Sequence, residues 1–233
     1  MTTPPGRLVV ALDGPSGSGK STAAKGVARV LGWRYVDTGA TYRAATLAVL
    51  RAGTDLRDPV AIATRVGEVL AADELRLTTD PDAPTVRLGD EDVSAQIRSA
   101  QVTAAVSTVS AVPEVRAVLV ALQRRLMGSD GAVAEGRDIG SVVAPQAAVK
   151  VFLDADQAER AKRRAAEVQS GVSATGAGRV DAVEADLARR DRLDSTVNAL
   201  RAVDGAVHLD ATDLTPQEVV DVVLRLAADA GLS

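Results

Sequence analysis

The sequence has no cysteine and one histidine, and only four of its 233 residues are aromatic: Trp33, Tyr35, Tyr42 and Phe152. Without cysteine there is no disulfide framework, thiolate nucleophile or Cys-ligated metal. His208, in Gly205-Ala206-Val207-His208-Leu209-Asp210, reads as a buried strand end, a core or surface histidine rather than a metal ligand or general base. With aromatics at 2%, the core must be built from Val, Leu, Ile and Ala. Lysine is scarce too (Lys20, Lys25, Lys150 and Lys162), so most of the cationic charge is guanidinium, the group shaped to grip phosphate bidentately. A formal net charge of −4 argues against a non-specific nucleic-acid binder. No apolar run reaches the length of a membrane span, and Met1 to Gly6 is Pro-rich with no apolar signal region. These absences predict a soluble cytoplasmic chain with neither nucleic acid nor membrane as partner.

What is present points to one α/β core. Hydrophobic residues are 46% and charged residues 25%, ordinary for a globular protein. Arg7 to Leu12 is a short apolar run ending in Asp13-Gly14-Pro15, as a buried parallel strand ends. Helical spacing follows over Ser21 to Leu31, stopped by Gly32; a second strand covers Trp33 to Val36, and a helix runs from Thr38 to Arg51 with Gly53 as its stop. Leu75 to Thr78 and Thr85 to Leu88 alternate apolar and polar around Asp80-Pro81-Asp82-Ala83-Pro84, the signal of a β-hairpin. Helices are predicted at Ile97 to Thr108 and Pro113 to Leu126, and strands at Ala132 to Glu135 and Ala148 to Leu153. Two charged helices, Asp156 to Gln169 and Val180 to Arg192, flank a Gly/Ser-rich tip; a strand near Val207 and a helix from Thr215 to Ala228 close the chain. The alternation predicts a mostly parallel sheet covered on both faces, a small antiparallel β insertion and a helix-loop-helix lid.

Gly14-Pro15-Ser16-Gly17-Ser18-Gly19-Lys20-Ser21 matches the phosphate-binding pattern G-x-x-x-x-G-K-[ST] in full, with a strand before it and a helix after it. Its glycines let backbone N–H groups turn inward onto phosphate oxygens, and the following helix adds the positive end of its dipole. Lys20 is expected at the β- and γ-phosphates of ATP, Ser21 on Mg²⁺, and Thr22 beside them. This loop serves many reactions, so it does not by itself name one.

The acceptor must come from elsewhere. Thr38, Tyr42 and Arg43 follow the second strand, where a doubly wound sheet opens a crevice; Thr38 also reads as a helix cap. Glu135-Gly136-Arg137-Asp138-Ile139-Gly140 follows a central strand, placing Glu135 to hold water on Mg²⁺ and Arg137 to face phosphate. Another small P-loop kinase, for shikimate, gluconate or a different nucleotide, and a nucleotide-dependent switch protein both fit these features.

Across nearly its whole length the chain resembles the bacterial cytidylate kinases. The matching segments are Asp13 to Ser21, Asp37-Thr38-Gly39-Ala40-Thr41-Tyr42-Arg43, Asp92-Val93-Ser94-Ala95-Gln96-Ile97-Arg98, Gly136 to Gly140, Val151-Phe152-Leu153-Asp154 and Arg190-Asp191-Arg192-Leu193-Asp194-Ser195-Thr196. The resemblance implies CMP and dCMP as acceptors, ATP with Mg²⁺ as donor, and a hairpin insertion within the substrate-binding part. By position it implies Thr38, Arg43 and Arg137 at the CMP phosphate, Ser107, Arg116 and Asp138 at the cytosine, and Arg190 and Asp194 at the sugar. Lys20, Arg137 and Arg190 would act on the transferring group. A carboxylate at Asp138 suits cytosine, whose 4-amino group donates where uracil presents a carbonyl.

One position departs from the pattern: Asp194-Ser195-Thr196 is followed by Val197 where the family usually has Arg. That removes an expected phosphate clamp, for which Arg192 and Arg201 are candidate replacements. Arg160, Arg163, Arg164, Arg179, Arg189 and Arg190 lie in the predicted arm, some of them poised to close over ATP. The expected organisation is one kinase domain: a core of residues 1–37, 109–154 and 205–233, a substrate-binding part 38–108, a lid arm 155–192, and a monomer in solution.

Overall fold

The computed structural model describes residues 8–169 and 202–232. Val9 to Leu12 carry no polar alternation, which suits a strand covered on both faces. They form β1 (Val9–Asp13), buried throughout. The chain continues through α1 (Lys20–Leu31), β2 (Arg34–Asp37), α2 (Thr38–Arg51) and α3 (Pro59–Ala71). The insertion strands β3 (Leu75–Leu77), β4 (Val86–Leu88) and β5 (Glu91–Asp92) lead through a 3-10 turn, Gln96–Arg98, to α4 (Ala100–Ser110) and α5 (Pro113–Met127). Then come β6 (Ala132–Gly136), one turn of π-helix at Ile139–Val143, β7 (Val149–Asp154) and α6 (Gln157–Gln169). Beyond the undescribed stretch lie β8 (Val207–Asp210) and α7 (Pro216–Asp229).

The main sheet is parallel in the order β2-β6-β1-β7-β8. Because β2 and β6 lie on one side of β1 and β7 and β8 on the other, successive connections diverge at β1 and open a crevice at its carboxyl end. Register brings Asp13 beside Gly136, and Asp37 beside Glu135, at that end. The small antiparallel sheet pairs Leu75 with Leu88 and Leu77 with Val86, as the hairpin pattern predicts, with Arg76 and Arg87 exposed between them.

Three apolar clusters hold these layers. On one face of the sheet α1 and α7 pack over Val10, Leu12 and Val151. On the other face, Val120 and Met127 of α5 meet Val9, Ala11 and Ile139. A separate cluster joins α2, α3, α4, the insertion and the opposite side of α5 through Val49, Ile62, Ile97 and Leu119. Among described residues no single helix is long and apolar enough to cross a membrane.

Several expectations change. Helix α3, the short strand β5 and the π-turn are additional to the sequence reading. The helix expected from Ile97 is broken: the 3-10 turn ends at Ser99, whose side chain accepts from Val102 N–H and starts α4 anew. His208 is not buried; its side chain is 56% exposed on an edge strand, stacked on Phe152 with ring centres 5.7 Å apart. An edge strand has one neighbour to cover it, and apolar content alone does not reveal which strand is at the edge. The second arm helix, Val180 to Arg192, lies outside the described residues.

Candidate active site

The phosphate loop folds because its glycines take backbone conformations closed to other residues. Gly14 (φ 146°) presses on β7, where a Cβ would sit 2.0 Å from the Leu153 carbonyl oxygen. Gly19 (φ 97°) starts α1 with no side-chain cap, leaving the first amides of that helix unclaimed by its own cap. Lys20 is buried and donates to the Pro15 carbonyl at 2.6 Å, with the Ser18 hydroxyl 3.5 Å away. The lysine thus arches back across the loop.

Helix α6 braces the loop from outside. Arg160 donates to the Ser16 carbonyl at 3.1 Å and to Ala155 O. Arg163 reaches the Ser18 carbonyl at 3.4 Å and the Ala211 and Thr212 carbonyls. Two of the predicted arm arginines therefore touch the phosphate loop itself. Arg179, Arg189, Arg190, Arg192, Asp194, Val197 and Arg201 lie outside the described residues, and the side chain of Arg164 is likewise undescribed.

A cleft of about 580 Å³ opens at the carboxyl ends of β1, β2 and β6. Ser16, Gly17, Gly19, Lys20, Ser21 and Thr22 line one side; Thr38, Tyr42, Arg43, Ser107, Arg116, Arg137 and Asp138 line the other. Residues separated by more than a hundred positions in sequence thus share one space. Gly14, Pro15 and Ser18 do not line it; they shape the loop from behind, and Ser18 is fully buried.

On the acceptor side, Arg43 is held by the Ile97 carbonyl at 3.2 Å and the Thr103 hydroxyl at 3.0 Å. Arg116 donates to the Asp138 carboxylate and lies 6.0 Å over the Tyr42 ring. Asp138 is 5% exposed. Arg137 donates to the Gly14 carbonyl at 3.2 Å, which places its guanidinium between the two sides. Thr38 does not cap α2: its hydroxyl donates to the Glu135 carbonyl at 2.7 Å, and Asp37 caps instead by accepting from Ala40 N–H at 2.8 Å. Asp37 precedes the helix with extended backbone, the geometry an N-cap needs, whereas Thr38 is already helical.

Glu135 is as enclosed as Asp138, 5% exposed. One oxygen accepts from the Tyr35 hydroxyl at 2.6 Å. Burial, then the charge of Asp37, pushes its carboxyl above the ordinary range, with Lys20 opposing. Burial and these same carboxylates push the Tyr35 phenol up as well. Among the described residues no three His, Cys, Asp or Glu side chains gather to hold a metal by themselves. The oxygens of Ser21, Glu135 and Asp37 suit Mg²⁺, which keeps several waters and takes its other ligands from phosphate.

Four contributors escaped the sequence reading. Asp37 bore a capping signature three residues ahead of Ala40. Arg98, paired with Asp37 at 3.3 Å, lay in a segment that signalled family resemblance but no chemistry. Tyr35 and Asp13 read only as strand residues.

The cytidylate kinase family model matches residues 10–229. A protein named cytidylate kinase from Mycolicibacterium paratuberculosis is 51% identical over 219 residues, spanning 92% of each chain. One of the same name from Nocardia farcinica is 50% identical over 224 residues, covering 95% of this chain and 94% of its own. Another from Streptomyces avermitilis is 45% identical over 226 residues, 95% of this chain and 93% of its own. A crystal structure from Thermus thermophilus is a far more distant likeness, 18% identical with a TM-score of 0.45 over 97% of this chain and 98% of its own. With a family match over almost all its length and relatives at such identity, the chain belongs to the cytidylate kinase family.

Proposed function

We propose that the chain transfers the γ-phosphoryl group of ATP to CMP or dCMP, giving ADP and CDP or dCDP. The observation that carries this reading is a second polar set, Arg43, Ser107, Arg116, Arg137 and Asp138, facing the phosphate loop across one cleft. A chain that only hydrolysed or sensed ATP would have no use for it.

The attacking oxygen belongs to a phosphate already largely ionised at neutral pH, so no general base is required. What the site must supply is positive charge and fixed geometry for two polyanions. Lys20 exchanges the Pro15 carbonyl for the β- and γ-phosphates. Arg137, held at the Gly14 carbonyl, sits where the acceptor phosphate meets the transferred group. Arg43 and Thr38 orient the acceptor phosphate, and Ser107, Arg116 and Asp138 face the base, Asp138 accepting from the 4-amino group. Ser21 would hold Mg²⁺ and Glu135 its water, and the ion would supply positive charge to neutralise the phosphates. Arg190 and Asp194 complete the sugar contact in this reading, and residues 38–108 form the substrate-binding part. The chain acts as a cytoplasmic monomer.

The test is ADP release across a panel of CMP, dCMP, UMP, AMP, GMP, shikimate and gluconate. Stimulation by CMP and dCMP above all others is expected. If neither raises ADP formation above the acceptor-free rate, the reading fails. Val197→Arg beside the native chain examines the clamp position, with a lower KM for CMP as the expected outcome.

A further inference from the structure

The turn that carries Asp138 is capped from an unusual place. Asp138 occupies the N-cap position of the π-turn Ile139–Val143, where an aspartate normally folds its carboxylate back onto the next free amides. It makes no such bond. One of the amides it could take, Gly140 N–H, is already occupied: it donates to Asp13 Oδ2 at 2.8 Å, and the preceding Ile139 N–H donates to Asp13 Oδ1 at 2.7 Å. Asp13 ends the central strand, beside Gly136 in register, and is 8% exposed. Burial raises its carboxyl and these two amides oppose that effect. Gly140 has no side chain, which permits the approach; a Cβ there would lie 3.3 Å from Asp13 Oδ2.

We propose that Asp13 is a positioning residue for acceptor recognition: by capping the Ile139–Val143 turn from β1, it releases the Asp138 carboxylate to face Arg116 and the acceptor base. The inference rests on the reading of Asp138 as the group that meets the cytosine amine. Both carboxylate oxygens are needed. An asparagine in place of Asp13 keeps one acceptor and turns an NH₂ toward the other amide, so one bond becomes an opposition of two donors. The turn then competes for Asp138, and discrimination between bases weakens. Asp13 also adjoins Gly14, whose carbonyl receives Arg137. The donor loop and the acceptor turn are thereby stitched together at two successive residues.

The experiment measures kcat and KM for CMP, UMP and ATP on the full native chain, D13N and D138N. D138N is expected to lower the ratio of kcat/KM for CMP over UMP at least about tenfold. D13N is expected to lower it at least about threefold with KM for ATP within about twofold of native. If D138N lowers the ratio and D13N leaves it native, the positioning role is overturned while the reading of Asp138 stands. If D138N itself leaves the ratio native, that reading fails and the inference with it. Should D13N not fold, amide hydrogen exchange on the native chain and on D138N decides. Ile139 and Gly140 are expected to exchange at least about tenfold slower than in a free peptide, equally in both chains. Free-peptide rates in the native chain, or protection lost in D138N, overturn the proposal.

Discussion

A carboxylate removed from water favours its neutral form, and Glu135 combines such burial with a second carboxylate, Asp37, beside it. The sign of the pH effect follows. Its folded pKa is raised, so in the window above the ordinary value of 4.5 the folded state binds more protons than the unfolded one. Stability therefore falls as pH rises through that window. We predict that Glu135→Gln, which keeps an oxygen for Tyr35, has a higher Tm than the native chain at pH 8 and the same Tm near pH 4. Its Mg²⁺-dependent activity should drop at the same time. An equal Tm difference at both pH values would show that burial of charge is not the cause. Lys20 gives the complementary case, a buried cation that donates to the Pro15 carbonyl of the loop. Lys20→Met should lower kcat by at least about 10²-fold in the ADP-release assay, and a loss of less than about threefold would remove Lys20 from the chemistry.

Helix α2 delivers Tyr42 and Arg43 to the cleft, and its direction depends on how it begins. Asp37 both caps it and pairs with Arg98 on the 3-10 turn, so one carboxylate fixes the helix and ties the start of α4 to β2. The two roles separate by substitution. Asp37→Asn retains a good cap and loses only a partly exposed ion pair, for an expected cost below about 1 kcal/mol. Asp37→Ala loses both and should cost about 1–2 kcal/mol in urea unfolding. Equal effects of the two substitutions would assign the stabilisation to the ion pair. The same element explains the misplaced cap. Thr and Asp are both good caps, and only the extended backbone of Asp37 and the diversion of the Thr38 hydroxyl to β6 distinguish them.

Among the described residues the core is divided into three apolar clusters, and α5 contributes both to the one around the insertion and its helices and to one on the parallel sheet. Between them run polar links: Tyr35 N–H donates to the Thr79 carbonyl at 2.8 Å, and Arg29 pairs with Asp82 at 2.5 Å on an exposed surface. Such a surface pair contributes only about 0–1 kcal/mol, so ligands spanning the cleft should add appreciably to stability. We predict that CMP at about 100 times its Kd raises Tm by about 5–10 °C, and that a non-hydrolysable ATP analogue raises it further. No shift with CMP alone would mean that its site is not formed before ATP binds.

Much of this was legible in one dimension because it depends on neighbours in sequence. The run before Gly14, the glycine spacing of the loop, the hairpin alternation and the stop at Gly32 are local consequences of backbone sterics and burial. These determined the parallel sheet, the insertion and a phosphate site at Gly14 to Ser21. Tertiary structure alone decided that Arg116 meets Asp138, that Tyr35 holds Glu135, and that Asp13 caps a turn begun more than a hundred residues later. Those bonds exist because strand order sets Asp13 beside Gly136 and Asp37 beside Glu135. A carboxylate's partner is chosen by which strand ends converge, and no local pattern records that convergence.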